Sequence, residues 1–286
     1  MPDARPPRIA LATSSDFPEG AGGEGLLTKA LIERDLWPEW TVWNDPAVDW
    51  SGFDLVVIRS TWDYWRSVDA FRAWARQPAV ATRLVNPPNL VLPNLHKGYL
   101  TDLGSLAVPT VVVPAGMTVD LGRLRWSQMV VKPAVGAGGF ATVGDAGQAD
   151  LDALTLAGSS PIDAVVQPYL ADVERRGETS VILIGGEATH AVRKLPAEGD
   201  FRIHDHWGGR AEPVAPADAD LAVARAALAT LPAVPAYARV DLLYDGDRPL
   251  VVELELVEPY LWFEVVPEAA ELLARRLLAR VDRRGR

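Results

Sequence analysis

Two short segments near the C-terminal end constrain this chain most: YARVDLLY at residues 237–244 and LVVELELVE at 250–258, with Asp245-Gly246 between them. An Asp-Gly step between runs of period two is a strong β-hairpin signal. Side chains alternate across a strand, so Arg239 and Asp241 share one face while Val240 and Leu242 share the other. Glu253 and Glu255 likewise share a face, opposite Val252, Leu254 and Leu256. If the strands pair in register, three carboxylates and a guanidinium converge. In an apolar setting such a cluster is costly unless a cation neutralises it. Oxygen-only ligands suit a hard ion such as Mg²⁺. The competing reading is a solvated hairpin face whose charges pair across the strands. Both stand until the rest of the chain is read.

Upstream, RIALAT at 8–13, WTVW at 40–43 and DLVVIR at 54–59 are short apolar runs alternating with helical patterns at 24–36 and Val68 to Arg76. This alternation predicts a parallel α/β unit over residues 1–93. NLHKGYLTDLGSL, residues 94–106, reads as a helix ending near Pro109. TVVVP, QMVVKPAVGAGGF and AVVQPYL supply strands around a helix near 147–157, giving an α+β unit over 94–170. A third unit, 171–286, holds the hairpin ETSVILIGGEATHAVRKL, an Ala/Leu-rich helix at 216–231, the charged hairpin and a last helix opened by Pro267.

Lysine is scarce: four of the 28 basic residues, Lys29, Lys97, Lys132 and Lys194. A retained Lys in an Arg-rich chain points to sites wanting a compact ammonium. Lys132 lies on a strand leading into Pro133 and the glycines Gly136, Gly138 and Gly139. There the backbone can approach a ligand closely, with N–H groups free for phosphate oxygens. A plain hairpin turn is the alternative. Gly20 to Gly25 formally satisfies GxGxxG, but it lies too far beyond the first strand for a dinucleotide turn and reads as a flexible loop. His204 and His206 form HxH without a third nitrogen or sulfur ligand, which favours a substrate or structural role over a metal site.

The formal charge of −10 excludes a surface built for nucleic-acid phosphates. No apolar run reaches the length of a membrane span, and the N-terminus lacks a signal-peptide core. With no cysteine in the chain, the expectation is a cytoplasmic enzyme without disulfides. The assembly state, including a homodimer, is left open.

The order of these features resembles the ATP-grasp superfamily: Lys97, Lys132-Pro133 before a Gly-rich loop, Gln167-Pro168-Tyr169-Leu170, Glu178, then Arg239, Asp241, Glu253 and Glu255. The resemblance implies an N-terminal parallel α/β domain and two α+β subdomains clamping ATP. It implies that Lys97, Lys132 and Lys194, with Gly136, Gly138 and Gly139, hold the nucleotide, whose adenine meets Gln167 to Leu170. Glu178, or Glu174 close by, accepts from the ribose. Arg239, with Lys132 and Arg202, serves the chemistry, and Asp241, Glu253 and Glu255 bind two Mg²⁺. The superfamily's usual last ligand is Asn, so Glu255 departs from it, and Glu258 is a further candidate. Arg202 and Gly208 match the substrate loop of glutathione synthetases, where His204 replaces an expected Asn.

RSTWDYW at 59–65, NPP at 86–88 and ELELVEP at 253–259 resemble the subgroup of cyclo-ligases that form D-cycloserine from O-ureido-D-serine. Arg59, Thr61, Asp63 and Tyr64 become candidate substrate contacts, against a reading in which an Arg–Asp pair fixes a turn. The implied activity is ATP-dependent activation of an amino acid-like substrate, then ring closure. A linear ligase and a non-catalytic ATP-binding module are the competing classes.

Overall fold

The structure is a computed structural model that describes residues 5–156, 161–197, 203 and 208–284. Its N-terminal layer is a parallel sheet of three strands in the order β2-β1-β3, formed by β1 (Arg8–Thr13), β2 (Trp37–Val42) and β3 (Leu55–Ile58). Ile9, Leu11, Leu55 and Val57 share one core, while Ala10, Ala12, Val56 and Ile58 pack against Trp43, Phe71 and Trp74 in another. Both faces are covered, which is why these strands read as continuous apolar runs. β2 begins at Trp37 rather than at residue 40 because an edge strand tolerates Pro38.

Helices α1 (Glu24–Ile32), α2 (Val68–Arg76), α3 (Pro78–Ala81) and α4 (Pro88–Asn94) follow these strands. The helix expected over 94–106 is replaced by 3₁₀ turns at Lys97–Thr101 and Gly104–Leu106. His96 is extended and its ring accepts from the Gly98 N–H, so the α-helix cannot continue through it. The Lys97 N–H instead donates to the Ala134 carbonyl at 2.7 Å, which anchors this segment beside the Gly-rich loop. The Gly20 to Gly25 segment is not a loose connection. A Cβ on Gly20 would fall 2.3 Å from Trp40, and one on Gly22 would fall 1.9 Å from the Tyr260 hydroxyl.

The middle sheet is antiparallel, order β4-β7-β5-β6, with β4 (Val111–Val113), β5 (Met129–Pro133), β6 (Val143–Gly144) and β7 (Ala164–Pro168); α5 (Gln148–Thr155) packs on it through Leu151. A larger antiparallel sheet has the order β10-β9-β8-β11-β12: β8 (Glu178–Ile184), β9 (Glu187–Leu195), β10 (Arg210–Val214), β11 (Tyr237–Asp245) and β12 (Arg248–Glu255). α6 (Asp172–Arg176) precedes it, α7 (Asp218–Ala229) covers one face, and α8 (Pro267–Arg284) shares a core with α1 and the parallel sheet.

Two asparagines join the N-terminal layer to the large sheet. Asn86 donates to the carbonyls of Tyr237 (2.9 Å) and Leu256 (2.8 Å) and accepts from the Ala236 N–H. Asn94 donates to the Leu254 carbonyl and accepts from the Leu256 N–H. Both bind backbone next to the charged face of β11 and β12, so the N-terminal layer fixes where that face sits. Among the described residues no helix is long and apolar enough to cross a membrane.

Candidate active site

β11 and β12 pair with Arg239 opposite Glu255 and Asp241 opposite Glu253, and the register shifts just beyond, between Asp241 and Leu242. Val240, Leu242, Leu254 and Leu256 are buried in the core beneath α7, which turns the charged set toward the middle sheet. One carboxylate oxygen from each of Asp241, Glu253 and Glu255 lies within 4.8 Å of the others. The solvated-face reading of this hairpin therefore fails: Asp241 is only 1% exposed.

Asp241 is held by three neighbours, Arg239, Ser180 and Lys194. Arg239 Nε and Nη2 donate to it at 2.9–3.1 Å, Ser180 Oγ at 2.5 Å, and Lys194 Nζ lies 3.5 Å away. Burial opposes its ionisation, but Arg239, Lys194 and the Ser180 hydroxyl outweigh that and hold the carboxyl well below its usual range. Arg239 also pairs with Glu255, and Lys194 with Glu178. Lys97 Nζ lies 3.0 Å from Glu253 and donates to the Gly136 carbonyl at 2.8 Å. Burial first, then Glu253 and Asp241, push Glu255 up to about 7 against the pull of Arg239. Burial also lifts Glu178 to about 7, against Lys194. Glu258 is pushed up to about 8 by burial and by Glu255 and Glu253, with Lys97 acting the other way. Lys132 is depressed by burial and by Lys97, with Glu253 opposing, and no carboxylate lies within 4.0 Å of it among the described residues.

These groups line one cleft of ≈ 180 Å³ between the middle and large sheets. One end is apolar: Val108, Leu170, Leu243 and Val252 pack together, and Val130 and Val173 add to the lining, the set coming from β5, β11, β12, α6 and the segments that connect them. Gln167 turns its amide to Thr110 Oγ1 at 3.0 Å, so this end presents mainly aliphatic surface and backbone. Over the charged end runs the Gly-rich loop, with Gly138 and Gly139 at φ of +64° and +70°. Its Phe140 stacks on Trp65 with centroids 4.5 Å apart, which ties the loop to the N-terminal layer.

Most residues expected from sequence meet here. Lys97, Lys132, Gly136, Gly138, Gly139 and Gln167 to Leu170 line the cleft, as do Tyr64, Glu178, Lys194, Arg239, Asp241, Glu253 and Glu255. Glu174 does not; it accepts from the Tyr169 hydroxyl at 2.5 Å. Arg59 does not reach the cleft either, so its expected substrate contact is corrected. It is 1% exposed, ion-pairs with Glu24, donates to the Pro259 carbonyl at 3.0 Å and lies against Tyr237 and Phe263. Its partner is Glu24 rather than an Asp of the same turn. Asp63 accepts from Trp43 Nε1 at 2.8 Å, Thr61 is buried, and neither lines the cleft. Gly208 packs beside Ala197, off the cleft, at a φ of +81°. Arg202 and His204 lie outside the described residues.

Sequence reasoning missed Ser180, although its place two residues beyond Glu178 puts it on the same strand face. It also missed Trp262, whose ring lies 5.4 Å from the Arg239 guanidinium and 5.7 Å from Lys194 Nζ. No periodicity marks that residue.

A cleft with cationic side chains, a glycine loop and a carboxylate trio, set between two antiparallel sheets behind a parallel α/β layer, defines the ATP-grasp class of ATP-dependent ligases. Residues 9–86 match the family model for the N-terminal domain of D-cycloserine synthetase DcsG, and 96–235 that for the ATP-grasp domain of prokaryotic glutathione synthetase. The cycloserine biosynthesis protein DcsG of Streptomyces lavendulae is 33% identical over 269 residues, 84% of this chain and 87% of that one. The crystal structure of D-cycloserine synthetase DcsG superposes with a TM-score of 0.83 at 29% identity, over 96% of this chain and 99% of that one. The ATP-grasp ligase PsnB, in a complex with Mg and ADP, shares the fold at a TM-score of 0.63 and 19% identity, over 97% of this chain and 100% of its own. This chain belongs to the DcsG family of ATP-grasp ligases.

Proposed function

We propose that this enzyme transfers the γ-phosphoryl of ATP to a carboxyl or carbamoyl oxygen of an amino acid-like substrate, and that a nitrogen of the same molecule then displaces the phosphate to close a ring. The observation that carries this reading is the single charged face of β11 and β12. It sets Arg239 and three carboxylates beside Lys97, at the end of an apolar slot suited to a purine.

Asp241, Glu253 and Glu255 fit Mg²⁺: they are hard oxygen donors, close together, and two of the three are half-buried and reachable from the cleft. We assign two ions to them, and PsnB was solved with Mg and ADP in this fold. Held by these three carboxylates, Mg²⁺ would supply positive charge against the charge that develops on the phosphates. The chain's own groups do the rest. Lys97 and Lys132 meet phosphate oxygens, and backbone N–H groups between Gly136 and Gly139 cover them. Arg239, fixed by Asp241 and Glu255, stabilises the transferring phosphoryl. Gln167 to Leu170 take the adenine edge, while Glu178, held by Lys194, accepts from the ribose. The loop pinned by Phe140 and Trp65 keeps water from the activated substrate.

The match of 96–235 to the glutathione synthetase domain favours one second reading, a linear ligase joining two amino compounds. ADP release with O-ureido-D-serine, amino acids and dipeptides, coupled to product mass, separates the two. Ring closure yields a product from one molecule, whereas a linear ligase yields a product joining two. ATP binding without ADP release for any of these acceptors would sink both.

A further inference from the structure

Five carboxylates line the cleft: Glu178, Asp241, Glu253, Glu255 and Glu258. Four have a cation within reach: Lys194 for Glu178, Arg239 for Asp241 and Glu255, and Lys97 for Glu253. Glu258 has none within 4.0 Å among the described residues, although it is only 7% exposed. A carboxylate removed from water without a partner is costly, and the neighbouring acidic groups raise that cost.

The backbone around it is held on both sides. Trp62 Nε1 donates to the Glu258 carbonyl at 3.0 Å, and Arg59 Nη2 donates to the Pro259 carbonyl at 3.0 Å. Trp62 is itself fixed, edge-on to Phe17 at 5.0 Å and tilted against Tyr260 at 6.1 Å. Tyr64, the other aromatic residue of this segment in the cleft, is buried in the core of the N-terminal layer. Glu258 is thus presented by a corner held from both sides, where the segment after the parallel sheet meets the end of β12. A buried carboxylate that lines a cleft without a cation of its own is complementary to a compact cation, which it meets through a charge-assisted hydrogen bond.

We infer that Glu258, which shares the cleft lining with Trp62 and Tyr64, receives the primary ammonium group of the substrate. The inference rests on the reading of this cleft as the ATP-dependent activation site.

The test compares wild type, Glu258→Gln and Glu258→Asp in two assays: calorimetric binding of a non-hydrolysable ATP analogue with Mg²⁺, and steady-state ADP release with O-ureido-D-serine and its N-acetyl derivative. We expect both variants to bind the nucleotide as wild type does. Glu258→Gln should raise KM for the free amine on the order of tenfold or more, the effect of losing one charged hydrogen bond. Glu258→Asp should recover part of that loss, and turnover of the N-acetyl compound should stay unchanged and low in all three. An unchanged KM would overturn the inference, as would wild type using the N-acetyl compound as well as the amine. Weakened Mg²⁺ binding in Glu258→Gln would overturn it in favour of a metal ligand. Because the wild-type comparison needs no variant, misfolding of either variant leaves the test intact. Failure of wild type to bind the nucleotide at all would instead remove the activation-site reading.

Discussion

Arg59 and Arg239 are both buried guanidiniums carried by strands, yet only one belongs to the site. Arg59 faces a single carboxylate, Glu24, adds one backbone carbonyl and is enclosed by Tyr237 and Phe263. Its charge is closed locally. Arg239 faces Asp241 and Glu255 within a group in which five carboxylates meet four cations, Lys97, Lys132, Lys194 and Arg239, around an open cleft. There the charge does not close without a ligand. Burial alone therefore says little about function, and the balance of charge around the buried group says more.

Removing each guanidinium in turn separates the two roles. Arg59→Met strands Glu24 in the core, and we expect a loss of about 3–5 kcal/mol in urea unfolding, with kcat per folded molecule close to wild type. Activity falling while stability holds would move Arg59 into the site. Arg239→Met should do the reverse to turnover, lowering ADP release by about 10²–10³-fold with the fold retained, as expected for loss of a group that stabilises transferring charge. Normal turnover in that variant would dissolve the contrast.

A smaller effect follows from Glu255, pushed up to about 7 from 4.5. Between those values the folded chain holds a proton that the unfolded chain has released. The stability tied to it is present below pH 4.5 and is lost as pH rises through about 7. Glu178 and Glu258 act in the same sense. In the metal-free protein, Glu255→Gln should flatten the decline of the urea midpoint across this window, and an unchanged slope would count against it. Smallest of all, Phe140→Ala removes the stack on Trp65. We expect a loss of about 0.5–1.5 kcal/mol in closing the loop, seen as a few-fold rise in ATP hydrolysis uncoupled from product.

What the sequence made legible was local. Period-two alternation put Arg239, Asp241, Glu253 and Glu255 on one face, the Asp245-Gly246 turn aligned them, and the glycines after Lys132 marked the loop. The α2 helix lay where its pattern placed it. The misreadings all depend on distant partners. Arg59 finds Glu24 in another element, and the segment expected as a helix over 94–106 is anchored where the Lys97 N–H binds the Ala134 carbonyl. No window of sequence contains those facts, because each exists only once the sheets have packed.

The central claim is that a substrate oxygen attacks the γ-phosphorus of ATP at the β11–β12 face. Its most direct test is turnover of O-ureido-D-serine labelled with ¹⁸O in the carboxyl group, with the released phosphate analysed by mass spectrometry. We expect one ¹⁸O in the phosphate for each ring closed. Phosphate carrying only solvent oxygen, with product still formed, would contradict the account.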